Sequence, residues 1–360
     1  MKNGLERIIL CKAINEFRNS SNFIATISIF LIYFLLSTST NLVACENFCV
    51  NINSERLVMN YIEEIKRLKK EKNAIVLTHC YQPVEIDEIS DFVGDSFYLS
   101  KKAKETNADI IVFAGVHFMA QSAKLLNPDK KVLLPNMNSG CFMADMVNVE
   151  QLREFRAKYP NVPAVCYINS TAEIKAECDI CCTSSNAVKV VQSLGAKEIL
   201  FLPDTYLGKW VEKKLGNVKV ITYNGFCPTH LRIRPEDIAE ARKNYPNAII
   251  LAHPECHTSV SEISDFVGST KEIMDYVKKS SEKEFVIATE KGVLDRLKRD
   301  YPQKEFHLIR DDIICTNMKW NSLEDIYFAL RDEQHEITVN PEVEKKAYEC
   351  IDKMMIGASV

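Results

Sequence analysis

A pattern that occurs three times constrains this chain more than any other feature. A polar side chain ends an apolar run at His79 (after 74–78), Tyr167 (after 164–166) and His253 (after 248–252). Twelve residues after each comes an aspartate, Asp91, Asp179 or Asp265, and five residues after that a hydroxyl, Ser96, Ser184 or Thr270. A cysteine follows 60 to 62 residues after each starting position: Cys141, Cys227 and Cys315. The period is therefore 86 to 88 residues. Residues 88–94 and 262–268 are identical over seven positions, whereas the middle copy, 179–184, agrees in spacing more than in identity. Self-similarity at a fixed period is the mark of a repeated structural unit. Three copies that each deliver one cysteine imply a pseudo-threefold protein with three thiols meeting at a centre.

The same order of elements fills each period. A second apolar run follows at 108–114, 196–202 and 283–288, and a third at 131–135, 218–223 and 305–309, leading to the cysteine. Short runs rich in Val, Ile, Leu and Phe read as buried parallel strands. Helical patterns lie between them at 97–105, 186–194 and 271–279. Strands alternating with helices predict α/β layers with a parallel sheet. The expected architecture is three similar αβα sandwich domains, each with a three-stranded sheet, in pseudo-threefold arrangement around a central cluster. Their spans are 59–145, 146–231 and 232–325. A hydrophobic extension at 1–58 stands outside the fold, a C-terminal helical segment covers 326–360, and its tail at 341–355 is expected to pack back on the first unit.

In open α/β sheets, ligands bind beyond the carboxyl ends of the strands. His79, Tyr167 and His253 stand at such ends, and Ser96, Ser184 and Thr270 stand just before helices. A hydroxyl there can cap the helix, and the same helix end can hold an anion through its free N–H groups. Three hydroxyls in register with three polar strand ends favour anion binding over capping alone. Asp91, Asp179 and Asp265 read as structural turn residues.

Thirteen cysteines in 360 residues are too sparse for a disulfide scaffold. Cys178, Cys181 and Cys182 form a CxxCC cluster, but no partner CxxC completes a zinc ribbon, so they read as packing residues. Cys80, Cys166, Cys256 and Cys350 have no equivalents in step and read as buried small hydrophobes. Cys141, Cys227 and Cys315 are the in-step set, and glycines before the first two allow close backbone approach. Three thiolates are one short of a closed site. A [4Fe–4S] cluster on three cysteines leaves one iron open to act as a Lewis acid.

At this point the residues resemble the quinolinate synthase family. The motifs that carry the resemblance are Thr78-His79-Cys80-Tyr81-Gln82, residues 115–120 (GVHFMA), Leu133-Leu134-Pro135 with Gly140-Cys141, and residues 179–186 (DICCTSSN). They continue with Gly225-Phe226-Cys227-Pro228 and His230, His253-Pro254-Glu255-Cys256, residues 265–270 (DFVGST), and Cys315-Thr316-Asn317-Met318-Lys319. The resemblance covers roughly 59–355. It implies condensation of iminoaspartate with dihydroxyacetone phosphate to quinolinate, with loss of phosphate and water. It also implies a [4Fe–4S] cluster on Cys141, Cys227 and Cys315, the set that the repeat selects. The substrate contacts it implies are His79, Ser96, Tyr167, Asn169, Ser184, His253, Glu255 and Thr270. Tyr81 and Glu255 match the acid–base residues, and His230 is a weaker site candidate. The chain departs from the family at Cys80, which beside the site is expected to be oxidation-prone, and at Asn136 and Asn138, where acidic residues are common; it lacks a C-terminal CxxCxxC.

Residues 19–45 carry no charge, and the apolar stretch 23–36 follows Lys2, Arg7, Lys12 and Arg18. This has the shape of a signal peptide or anchor, and Leu42-Val43-Ala44-Cys45 resembles a lipoprotein processing box. An exposed cluster suits no oxidising compartment. The expectation is a start at Met59, ahead of an amphipathic helix at 60–68, with a cytoplasmic protein and no stable membrane association. A net charge of −4 gives no nucleic-acid signature. The expected partners are the two substrates and functional coupling to an L-aspartate-oxidising enzyme. The competing readings are a diphthamide-type radical enzyme and a non-enzymatic iron–sulfur redox sensor.

Overall fold

The apolar runs form three parallel sheets of four strands each. The computed structural model describes residues 60–357. The extension at 1–58, with the 23–36 stretch and Cys45, lies outside the described residues, as does Met59. The first sheet holds β1 (Ala74–His79), β2 (Phe92–Gly94), β3 (Ile110–Ala114) and β4 (Lys131–Leu133) in the order β2-β1-β3-β4. The second holds β5 (Ala164–Tyr167), β6 (Ile180–Cys182), β7 (Glu198–Leu202) and β8 (Lys219–Thr222) in the order β6-β5-β7-β8. The third holds β9 (Ile249–Ala252), β10 (Phe266–Val267), β11 (Glu284–Ala288) and β12 (Glu305–Leu308) in the order β10-β9-β11-β12.

One strand per sheet was not expected. β2, β6 and β10 are two or three residues long and fall on the aspartate motif. A strand so short shows no periodicity, so the motif reads as a turn. Its aspartate in fact staples the sheet. Oδ2 of Asp91, Asp179 and Asp265 accepts the main-chain N–H of Val76, Ala164 and Ile250, at 2.7, 2.7 and 2.8 Å. The N–H of each aspartate returns a bond to the carbonyl of the same residue. A cation one period apart then pairs with each carboxylate: Lys69 at 2.7 Å, Arg156 at 3.2 Å and Arg242 at 3.0 Å. These cations sit on the helices that precede each first strand, so one side chain joins helix, central strand and edge strand three times.

Chain order along each sheet reverses between its first strand and its third-in-sequence neighbour. β1 has β2 on one side and β3 on the other, and β5 and β9 are placed alike. This is the topological switch point, where a crevice opens at the carboxyl ends.

The C-terminal segment divides its contacts. Residues 335–337 bond along the edge of β4, and the helix Leu323–Asp332 buries Leu323, Ile326 and Leu330 with the core of the first sheet. The long helix Pro341–Gly357 instead packs mainly on the helix Ala172–Ala176 and on β6, with the helix His117–Leu126 as a lesser partner. The tail at 341–355, expected on the first unit, thus packs mainly on the second. Its buried Ala347, Cys350, Ile351 and Met354 match the apolar flank of that unit. No helix among the described residues is long and apolar enough to cross a membrane.

Asp91→Ala leaves the Val76 N–H without its partner and Lys69 without its carboxylate. The expected loss is about 1–3 kcal/mol, read as a lower denaturant midpoint. An unchanged midpoint would show that the staple contributes nothing.

Candidate active site

Each cysteine loop is caught by the helix that precedes it. The first residue of the helix His117–Leu126 donates its N–H to Ser139 O at 2.7 Å. Thr205 of Thr205–Leu215 donates to Gly225 O at 2.8 Å, and Lys291 of Lys291–Asp300 to Ile313 O at 2.9 Å. In every case the cysteine stands two residues later. A Cβ on Gly225 would lie 2.5 Å from Pro203 O, so that glycine is required by the approach. At Gly140 the nearest atom would be 3.9 Å away, and the expected close approach is absent there. Asn317 Nδ2 donates to Gly140 O at 3.1 Å, joining the Cys315 loop to the Cys141 loop.

The strand-end imidazoles have fixed tautomers. Nδ1 of His79 accepts the N–H of Tyr81 at 3.1 Å, and Nδ1 of His253 accepts the N–H of Glu255 at 3.3 Å. Both rings are buried. Burial, then the Arg296 and Lys319 charges, pushes His79 down to about 3. Burial likewise lowers His253 to about 3, against the pull of Glu255. Each ring is therefore neutral at pH 7 and keeps Nε2 as its N–H donor.

A hydrogen-bonded path runs from Tyr81 to Glu255. Tyr81 Oη lies 3.2 Å from Thr289 Oγ1, which lies 2.8 Å from His230 Nε2. His230 Nδ1 lies 2.8 Å from Glu255 Oε2, and Tyr167 Oη donates to Glu255 Oε1 at 2.5 Å. His230 Nδ1 is also 3.2 Å from Cys227 Sγ. Burial works to raise the Glu255 carboxyl, but the His253 and His230 rings and the bonds from His230 and Tyr167 hold it below the usual carboxylate range. Burial and the Glu255 charge push Tyr81 and Tyr167 well above the ordinary phenol value. The site thus holds an ionised carboxylate beside two protonated phenols.

The hydroxyls are not helix caps. Asp95 caps Ser96–Glu105 by accepting Tyr98 N–H at 2.9 Å, and Ser269 caps Thr270–Lys279 by accepting Glu272 N–H at 3.2 Å. Ser96 and Thr270 are the first helical residues, and Ser184 lies two before the Asn186 that precedes Ala187–Ser193. With capping done by Asp95 and Ser269, the hydroxyls of Ser96 and Thr270 stand at helix N-termini without a capping role, and Thr270 Oγ1 lies 3.1 Å from Tyr81 Oη.

One pocket gathers these groups. His79, Tyr81, Ser96, Tyr167, Asn169, Ser184, His230, His253, Glu255 and Thr270 line it together with Cys141, Cys227 and Cys315. Oδ1 of Asn169 is buried there with no hydrogen-bond partner in the protein, a polar atom suited to a ligand. All three cysteines are free, and burial raises each thiol, Cys141 to about 12. Sulfur ligands in this state release their protons when a metal binds them.

A family model described as quinolinate synthetase A protein matches residues 63–356. The chain belongs to the quinolinate synthase family. A quinolinate synthase of Alkaliphilus metalliredigens is 53% identical over 296 residues, covering 82% of this chain and 98% of the relative. Those of Caldicellulosiruptor bescii and Clostridium perfringens are 50% identical over 292 residues and 47% over 296, covering 81% and 82% of this chain and 96% and 98% of theirs.

Thr289 escaped sequence reasoning. It follows β11 where Gly115 and Pro203 follow β3 and β7, and comparing the three copies at the second strand end would have exposed it. Cys80 is 1% exposed and burial raises its thiol, so it is shielded from oxidation rather than prone to it. Cys178, Cys181, Cys182, Cys166, Cys256 and Cys350 are buried outside the pocket lining.

The two neutral imidazoles set an acid limb. From about 6.5, the ordinary value, down to about 3, the unfolded chain binds more protons than the folded one. Stability therefore falls as pH drops through this window. His79→Gln is expected to flatten that limb in urea titrations at successive pH values; an unaltered slope would mean that His79 is not held neutral.

Proposed function

We propose that the chain condenses iminoaspartate with dihydroxyacetone phosphate to quinolinate, releasing phosphate and water, as a step of NAD biosynthesis. The observation that carries this reading is the convergence of three cysteines, one per sheet, on a pocket with a linked acid–base pair. The reactants bear two carboxylates and a phosphate. The neutral Nε2–H groups of His79 and His253 and the hydroxyls of Ser96, Ser184 and Thr270 suit these anions. Asn169 and Tyr167 complete the polar lining.

Cys141, Cys227 and Cys315 would hold a [4Fe–4S] cluster. Bound there, the cluster supplies an iron with an open coordination position, a Lewis acid for dehydration. The protein groups supply the proton transfers. Glu255, ionised, accepts a proton from the condensing carbon or nitrogen. Tyr81, protonated, donates to a departing oxygen, and Thr289 and His230 connect the two. A redox-sensor reading leaves this pair without a task. Iminoaspartate hydrolyses in water, which favours supply from an L-aspartate-oxidising enzyme nearby. A reducing, cytoplasmic location suits the thiols.

Anaerobic reconstitution followed by a quinolinate assay tests the reading; a cluster-loaded chain that forms no product overturns it. Cys141→Ala, Cys227→Ala and Cys315→Ala are each expected to lose the cluster's iron and visible absorbance. Cys178→Ala, Cys181→Ala and Cys182→Ala are expected to retain both. Glu255→Gln and Tyr81→Phe should each lower kcat by about 10²- to 10⁴-fold with the cluster intact. A wild-type kcat in either variant would remove that residue from the mechanism.

A further inference from the structure

The CTNMK segment ends on a lysine to which the chemistry above gives no task. Lys319 does not line the pocket. It closes the 3₁₀ turn Thr316–Lys319, directly after Cys315. Its Nζ donates to the carbonyl oxygen of Tyr81 and pairs with Glu290 Oε1 at 2.9 Å. Glu290 is fully buried and precedes the helix Lys291–Asp300. The same Oε1 accepts the N–H of Cys315 at 3.2 Å, and Oε2 accepts that of Gly292 at 2.6 Å. Lys319 is the one cation paired with this carboxylate among the described residues.

The Tyr81 backbone needs such a hold. Its phenol bonds only across to the third sheet's residues, Thr270 at 3.1 Å and Thr289 at 3.2 Å. Its main chain presses on the third unit as well: a Cβ on Gly292 would lie 2.7 Å from Cys80 O and 2.9 Å from Tyr81 Cα. Arg296 takes the flanking carbonyls, Cys80 O at 2.7 Å and Gln82 O at 2.9 Å. The middle carbonyl, Tyr81's own, falls to Lys319. Arg296 is anchored to Asp87 and touches no cysteine loop. Among the described residues Lys319 is the one side chain bonded to both the Tyr81 carbonyl and the Glu290 carboxylate, which accepts the N–H of Cys315.

We propose that Lys319 is a positioning residue that locks the Tyr81 backbone to the Cys315 loop and so fixes the distance between the proton donor and the third thiolate. The proposal rests on the reading of Tyr81 as proton donor and Cys315 as cluster ligand. A displacement of about 1 Å at a reacting group can cost on the order of 10²-fold in rate. Removing Lys319 also alters the carboxylate that faces the N–H of Cys315, and hydrogen bonding near a cluster sulfur tunes its electronic state.

The test uses the anaerobically reconstituted full chain as wild type, Lys319→Met, Lys319→Arg, Tyr81→Phe and the Lys319→Met/Tyr81→Phe double variant. Iron content, the EPR spectrum of the reduced cluster, kcat and KM are read for each. Lys319→Met is expected to keep its iron, shift the EPR g values, and lose about 10- to 100-fold in kcat with little change in KM. Lys319→Arg should recover part of both. The double variant should be no more than about twofold slower than Tyr81→Phe alone, because the two act through one group. A wild-type spectrum and kcat in Lys319→Met overturn the proposal, as does a full additional loss in the double variant. Should Lys319→Met fail to fold, Glu290→Gln replaces it, since glutamine removes the charge that pairs with Lys319 while its one amide oxygen still accepts one of the two N–H groups. An unshifted spectrum and unchanged kcat there have the same overturning force. A wild-type kcat in Tyr81→Phe refutes the role of Tyr81 itself, while the EPR comparison still judges the link from Lys319 to Cys315.

Discussion

Each cysteine loop hangs from a backbone hydrogen bond made at a helix start. The first N–H groups of a helix have no partner inside it. In each sheet the helix after the second long strand offers one of these, from His117, Thr205 or Lys291, to the carbonyl two residues before the cysteine. The bond needs no particular side chain, so Ser139, Gly225 and Ile313 serve equally. It places each thiol at the switch point of its own sheet, where β1 and β3, β5 and β7, or β9 and β11 diverge. Three switch points facing one pocket make a three-thiol centre the natural product of the fold, and the polar strand ends surround it without further arrangement.

Burial then sets the charge states. Burial disfavours charge at the strand ends, so His79 and His253 lose their protons and the phenols of Tyr81 and Tyr167 keep theirs. Glu255 escapes the same neutralisation because the His230 ring and the Tyr167 phenol hydrogen-bond to its two oxygens. One pocket therefore holds neutral donors, a charged acceptor and protonated acids together at neutral pH. Exposed side chains of these types would titrate close to their ordinary values and could not be kept in complementary states.

Much of this was legible in the sequence. The strand-end residues, the hydroxyls and the cysteines keep fixed spacings, and apolar runs announce nine of the twelve strands. β2, β6 and β10 did not show, because two or three residues on a polar motif carry no period. The aspartates read as turn formers because their partners, the N–H groups of Val76, Ala164 and Ile250, lie fifteen residues back and leave no trace in composition. The caps fell one residue early, on Asp95 and Ser269, because a run of polar residues at a helix start does not say which one turns inward. Thr289 and Lys319 act across units, through contacts about 200 residues apart in the chain, and spacing within one repeat cannot reveal them.

The threefold design is broken at two equivalent positions. Two residues past the strand end stand Tyr81, Asn169 and Glu255; before the next helix stand Val116, Asp204 and Glu290. Backbone bonds supply what the copies share, and these side chains supply what differs. Asp204 and Glu290 are buried carboxyls at helix starts, capping at 2.6 Å to Leu207 and Gly292, while Val116 caps nothing. Only Glu290 has a cation, Lys319, and only there does the neighbouring loop carry a phenol to be held. A carboxylate without a counter-ion would be costly in such a place. The pairing of Glu290 with Lys319 offsets part of that cost, and the same lysine bonds the Tyr81 carbonyl, so a buried charge and the proposed proton donor share one partner.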